Sequence, residues 1–197
     1  MIKSFWETTS GKRVLFLLMI PLVVLLNYFA VKTAIFLKIP FFLDTWATAL
    51  GVMVGGLAVG LVGGILYNLI MMTEWGASAW VWAFANISVA LLVYTFWKLG
   101  WVNIRKPGKL LVSALIIGLI ETVVVIVILF TAWGGVETYE GVLPTYTTLL
   151  DATGSKVIAA IGEKFITIPV DQIVSLFLAA IVASSISKKF ILTKRKN

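Results

Sequence analysis

The chain has 197 residues, 60% of them hydrophobic and 13% charged, with a mean hydropathy of +1.04. Soluble domains are roughly half apolar and a quarter charged, so this composition excludes a water-soluble globular domain and puts the chain in a bilayer. Cysteine and histidine are absent, which excludes disulfides, thiolate metal sites and imidazole chemistry.

The net charge of +7 comes from basic residues that flank apolar helices. Its plain meaning is topology and contact with anionic lipid headgroups, not nucleic-acid binding. Twelve of the sixteen Lys and Arg fall in three clusters. They are Lys3, Lys12 and Arg13, then Lys98, Arg105, Lys106 and Lys109, then Lys188, Lys189, Lys194, Arg195 and Lys196. Basic short loops stay cytoplasmic, so both termini and one central loop belong inside. The acidic residues Glu137, Glu140 and Asp151 belong outside. Lys32 and Lys38 go against this bias.

A helix crosses the hydrocarbon core in about 20 residues. The first span is expected over 14–37, ending before Ile39-Pro40; it lacks the small-residue cleavage site of a signal peptide. Residues 44–72 are apolar and dotted with glycine, too long for one span and too short for two ordinary ones. Two short helices, 42–54 and 57–72, joined at Gly55-Gly56, keep the central basic loop inside. Spans at 77–97 and 109–133 follow, then an outer loop over 134–168 in which 156–165 can form a surface helix. Pro169 suits the first turn of the last span, 169–188. The expectation is an all-α integral membrane protein: one domain with six transmembrane helices.

A charge near the bilayer centre costs about 3 kcal/mol or more, so it faces protein or water. Glu121 is the sharpest case, about 18 Å from the inner end of its helix at helical rise. Ala114, Gly118, Glu121, Thr122 and Val125 share one face. Asn86 shares a face with Ala79, Trp82, Ala90 and Val93, and its amide suits either helix-helix bonding or a ligand. Asn68 lies near an outer mouth containing Glu74 and Trp75. Asp44, Asp171 and Gln172 read as helix caps. Glu163 and Lys164 read as a solvated pair. The outer aromatics Trp46, Trp75, Trp80, Trp82, Trp133, Tyr139 and Tyr146 suit a planar heterocycle or lipid anchoring equally.

Gly51/Gly55, Gly56/Gly60/Gly64, Ala179/Ala183 and Ala30/Ala34 have small-xxx-small spacing, which lets helix backbones pack closely within the chain or against a second membrane protein. No catalytic constellation, cofactor motif or metal-ligand cluster is present in the sequence, and no phosphate-cradling loop. An ATP-driven role therefore needs another subunit.

The stretch FFLDTWATALGVMVGGLAVGLVGGILYNLI, Phe41 to Ile70, resembles the second and third helices of substrate-binding S components of energy-coupling factor transporters. IPVDQIVSLFLAAIVA, Ile168 to Ala183, resembles their sixth, with Val170 interrupting the Pro-Asp-like opening. The resemblance implies capture of a vitamin or related micronutrient at the outer face of a prokaryotic plasma membrane. It implies association with a membrane scaffold subunit and two cytoplasmic ATPases, with no catalysis by this chain. It makes Asn68, Trp75, Trp82, Asn86, Glu121, Trp133 and Glu163 the substrate-contact candidates. The docking candidates are Ala30, Ala34, Gly56, Gly60, Gly64, Ala179 and Ala183; the family's AxxxA pattern on helix 1 has its nearest match at Ala30/Ala34. The alternative is a membrane assembly or sensor protein acting only through helix contacts.

Overall fold

The computed structural model describes residues 9–135 and 141–195; Lys3, Glu137, Tyr139, Glu140 and Lys196 lie outside them. The described residues form seven α-helices and one 3-10 segment: α1 (Thr9–Leu37), α2 (Trp46–Gly55), α3 (Leu57–Trp75), the 3-10 segment Ala77–Trp82, α4 (Ala83–Lys98), α5 (Pro107–Ala132), α6 (Leu143–Thr153) and α7 (Lys156–Arg195). Five spans are long and apolar enough to cross a bilayer: Phe16–Leu37, Leu57–Trp75, Ala77–Lys98, Pro107–Ala132 and Lys156–Ile186. By helix length and hydropathy this is a multi-pass membrane protein.

The second of the six expected crossings takes a different form. α2 starts at Trp46, not 42, and its 10 residues cover only about 15 Å at helical rise. Residues 38–45 are non-helical and turn back into the bundle. Asn27, ten residues before the end of α1, accepts a bond from the Ala47 backbone N–H at 3.0 Å. The first turn of α2 therefore lies about 15 Å below the end of α1. Irregular backbone survives at such depth only when buried in protein or lining a cavity, and here the Phe42 and Leu43 amides are satisfied by the Asp171 carboxylate. Leu43 holds a left-handed φ of 53°, a conformation that costs a side-chain-bearing residue roughly 1–2 kcal/mol.

The chain reverses at Gly56, φ 88°, where the missing Cβ makes the conformation accessible. The small-residue spacing then brings α2 and α3 together: a Cβ on Gly60 would sit 2.9 Å from the Thr48 carbonyl oxygen. α1 and α3 run parallel, with Met19 packed near Val59, Val23 against Gly63, and Tyr28 bonded to Glu74. α4 runs back antiparallel to α3, bringing Asn86 against Gly64. The Trp82–Trp133 contact joins the start of α4 to the end of α5. The start of α1, the 99–106 loop and the end of α7 consequently share one end of the bundle.

The expected outer loop over 134–168 contains α6 and the first turns of α7, and the expected helix start at Pro169 falls in the interior of α7. Membrane helices tolerate an internal proline when neighbours and hydroxyl side chains compensate. Here Gly118 of α5 gives the proline room, since a Cβ there would come within 2.7 Å of the Pro169 Cα. Below this crossing, Leu50, Val89, Val93, Leu110, Ile117, Leu176 and Ala179 from α2, α4, α5 and α7 form a buried apolar core.

Candidate functional site

A partly enclosed cavity of about 460 Å³ opens where the ends of α1, α3 and α5 and the start of α4 surround the first half of α7. Its volume lies within the range of small-molecule sites, roughly 300–1,000 Å³. The re-entrant stretch supplies Pro40, Phe41, Phe42 and Asp44; α5 supplies Glu121, Val125 and Leu129; α7 supplies Lys164, Thr167, Ile168 and Asp171.

Two aromatic pairs wall it. Phe42 and Trp75 meet edge-on with ring centroids 6.4 Å apart, and Trp82 and Trp133 meet at 5.9 Å. All four rings line the cavity. The Trp133 indole Nε1 is buried and donates to no acceptor.

Glu121 sits on the buried stripe of α5 with Ala114, Gly118, Thr122 and Val125. It is 5% exposed, its Oε2 has no hydrogen-bond partner, and the Gln172 side chain lies beside it. Leaving a buried acceptor unsatisfied costs about 1–3 kcal/mol, more for a charged group. An unpaired acceptor on a residue that lines a cavity fits a site whose partner arrives with the ligand.

Asp171 is fully used by the protein. Its Oδ2 accepts the N–H groups of Phe42 at 3.0 Å and Leu43 at 3.2 Å, and its Oδ1 accepts the Ser175 hydroxyl at 2.9 Å. It does not cap the helix that bears it, because the first turn of α7 lies fifteen residues earlier, at Lys156. Asp44 caps nothing either. The cap position of α2 is Thr45, which makes no side-chain cap bond, and Asp44 lines the cavity. Gln172 donates to the Thr45 hydroxyl at 2.6 Å.

Glu163 and Lys164 form a buried pair, not a solvated one, at 0% and 3% exposure. Lys164 Nζ lies 2.9 Å from Glu163 Oε2, and Thr167 donates to Glu163 Oε1 at 2.6 Å. Burial of this pair follows from the upward extension of α7, which packs it among helices.

Beneath the cavity lies a polar layer. Thr48 donates to Asn86 Oδ1 at 2.5 Å and accepts from Asn27 Nδ2 at 3.0 Å. Asn86 thus links helices, and Asn68 donates to its own helix at Gly64 O, 2.9 Å away. Of the seven contact candidates, Trp75, Trp82, Glu121 and Trp133 line the cavity, whereas Asn68, Asn86 and Glu163 lie behind its wall. Of the docking candidates, Ala34, Gly60, Gly64 and Ala179 are buried within this chain, and Ala30, Gly56 and Ala183 are partly exposed.

Sequence reasoning missed Asp44, Asp171 and Lys164 as cavity residues. The signal was present on α7: Lys164, Thr167, Ile168, Asp171 and Ser175 follow the i, i+3, i+4, i+7, i+11 spacing of one helical face. Starting the helix at Pro169 cut that stripe in two. Among the described residues, no group of three or more Asp and Glu is arranged to hold a metal ion. Compared with known proteins, the chain matches no family model, no curated protein and no solved structure.

Proposed function

We propose that this protein captures a small solute at one face of the membrane, as the substrate-binding S component of an energy-coupling factor type uptake system. The observation that carries this reading is the unpartnered Glu121 Oε2 in the wall of a 460 Å³ aromatic-lined cavity. The stretch Phe41 to Ile70, on which the family resemblance rests, contributes Phe41, Phe42 and Asp44 to the cavity lining and adds support. The solute is a vitamin or related micronutrient, and a scaffold subunit with two ATPases supplies the energy. This chain binds and does not catalyse. The bundle end bearing the Lys98–Lys109 cluster faces the cytoplasm by the basic-loop rule, which sets the cavity toward the outside of a prokaryotic plasma membrane.

Mass spectrometry of small molecules freed by denaturing the purified, washed full chain tests the reading. The expected result is one dominant molecule, whose re-addition raises the melting temperature as binding to the folded state requires. No released molecule, with helix-helix partners retained after Glu121→Ala, would favour an assembly role instead.

A further inference from the structure

The charges around the cavity select among solutes, and this inference rests on the capture reading above. Three acidic side chains line the space, Asp44, Glu121 and Asp171, against one basic side chain, Lys164, which pairs with Glu163. An anion entering this space finds one basic group, already paired, whereas a cation finds carboxyl groups that can each become a charged partner. Glu121 gives the direction: nine-tenths buried, on a membrane-crossing helix, with Oε2 bonded to nothing. Tryptophan faces attract cations, and Trp is the strongest of the rings in this respect. The Trp82–Trp133 pair and Trp75 all line the same cavity. The carboxyl groups do not converge in a metal-holding cluster among the described residues, which favours a cation that spreads its charge over a flat framework.

We propose that the cavity takes a planar organic cation, an aromatic or heteroaromatic ring carrying an amidine-like or protonated ring nitrogen that donates to Glu121, with its face against the Trp82–Trp133 pair. Trp133 Nε1 adds one demand. The same molecule presents a hydrogen-bond acceptor elsewhere on its edge.

Three probes of one shape and different charge test this on the purified full chain: naphthamidine as the cation, naphthamide as the neutral amide, and naphthoate as the anion. Binding is read from the shift in melting temperature and from calorimetry at about millimolar ligand. Naphthamidine is expected to bind at least about tenfold tighter than naphthamide, and naphthoate weakest of the three, by the loss or gain of a charged pair. Glu121→Gln is expected to remove the preference for the cation. Trp133→Phe keeps the same order with every affinity lowered, and the unliganded melting temperatures of both variants establish that they fold. Naphthamide or naphthoate binding as tightly as naphthamidine would overturn the proposal, as would a cation preference unchanged in Glu121→Gln. A neutral or anionic molecule freed from the purified protein would also overturn it while leaving capture in place. No freed molecule and no stabilisation by any probe would remove capture, and this proposal with it.

Discussion

Asp171 Oδ2 accepts the backbone N–H of Phe42 at 3.0 Å across 129 residues of sequence, and through this bond α7 holds the re-entrant stretch at depth. Asp171→Ala leaves the Phe42 and Leu43 amides buried without an acceptor, at about 1–3 kcal/mol each. The expected outcome is a lower melting temperature and faster hydrogen exchange at Phe42 and Leu43, with α3 protection unchanged. Asp171→Asn retains a carbonyl acceptor and should lose less than half as much.

Glu121→Ala is expected to weaken binding of the captured solute at least about tenfold, or 1.4 kcal/mol. The variant should melt no lower than the parent, because it removes a buried carboxyl group whose Oε2 makes no bond in the protein. Isothermal titration against the solute freed from the parent protein checks the first part, and a melting curve the second. An unchanged dissociation constant would take Glu121 out of the site.

Thr48→Val tests the polar layer below the cavity. It removes the bonds to Asn86 and Asn27 while keeping the shape. Interhelical hydrogen bonds in membranes average about 0.6 kcal/mol, so a loss of about 1 kcal/mol is expected. A double-mutant cycle with Asn86→Ala should show the two effects coupled.

Two glycines test the close approaches. Gly118→Ala drives a methyl group into the backbone at Pro169, where α7 cannot yield by rotating a side chain. It should shift Asp171 relative to Glu121 and lower both stability and solute affinity. Gly60→Leu has no space against Val52 and the Thr48 carbonyl and should prevent stable folding. Purification yield and melting temperature check both, and normal behaviour of Gly60→Leu would mean that α2 and α3 do not pack as described.

The parts of this architecture visible in the sequence are those set by local periodicity. The glycine spacing between Gly51 and Gly64 marks two backbones packed at contact distance, and the face shared by Gly118 and Glu121 marks an inward stripe. The re-entrant stretch has no such mark, because the acceptor that stabilises it comes from Asp171, far along the chain. Pro169 misleads for a related reason. Its usual effect is to begin a helix, and only Gly118 on another helix gives it a place inside one. Glu163 and Lys164 read as surface residues because each is charged; their mutual pairing and the Thr167 hydroxyl make burial tolerable.

The hydrogen-bonded trio of Asn27, Thr48 and Asn86, backed by the apolar core beneath it, ties α1, α2 and α4 together below the cavity. On the capture reading proposed above, a molecule held in the cavity meets that buried layer beneath it. On that same proposed reading, delivery across the bilayer needs these packed helices to move, so passage is governed by movement of the protein body and not by diffusion along a pore.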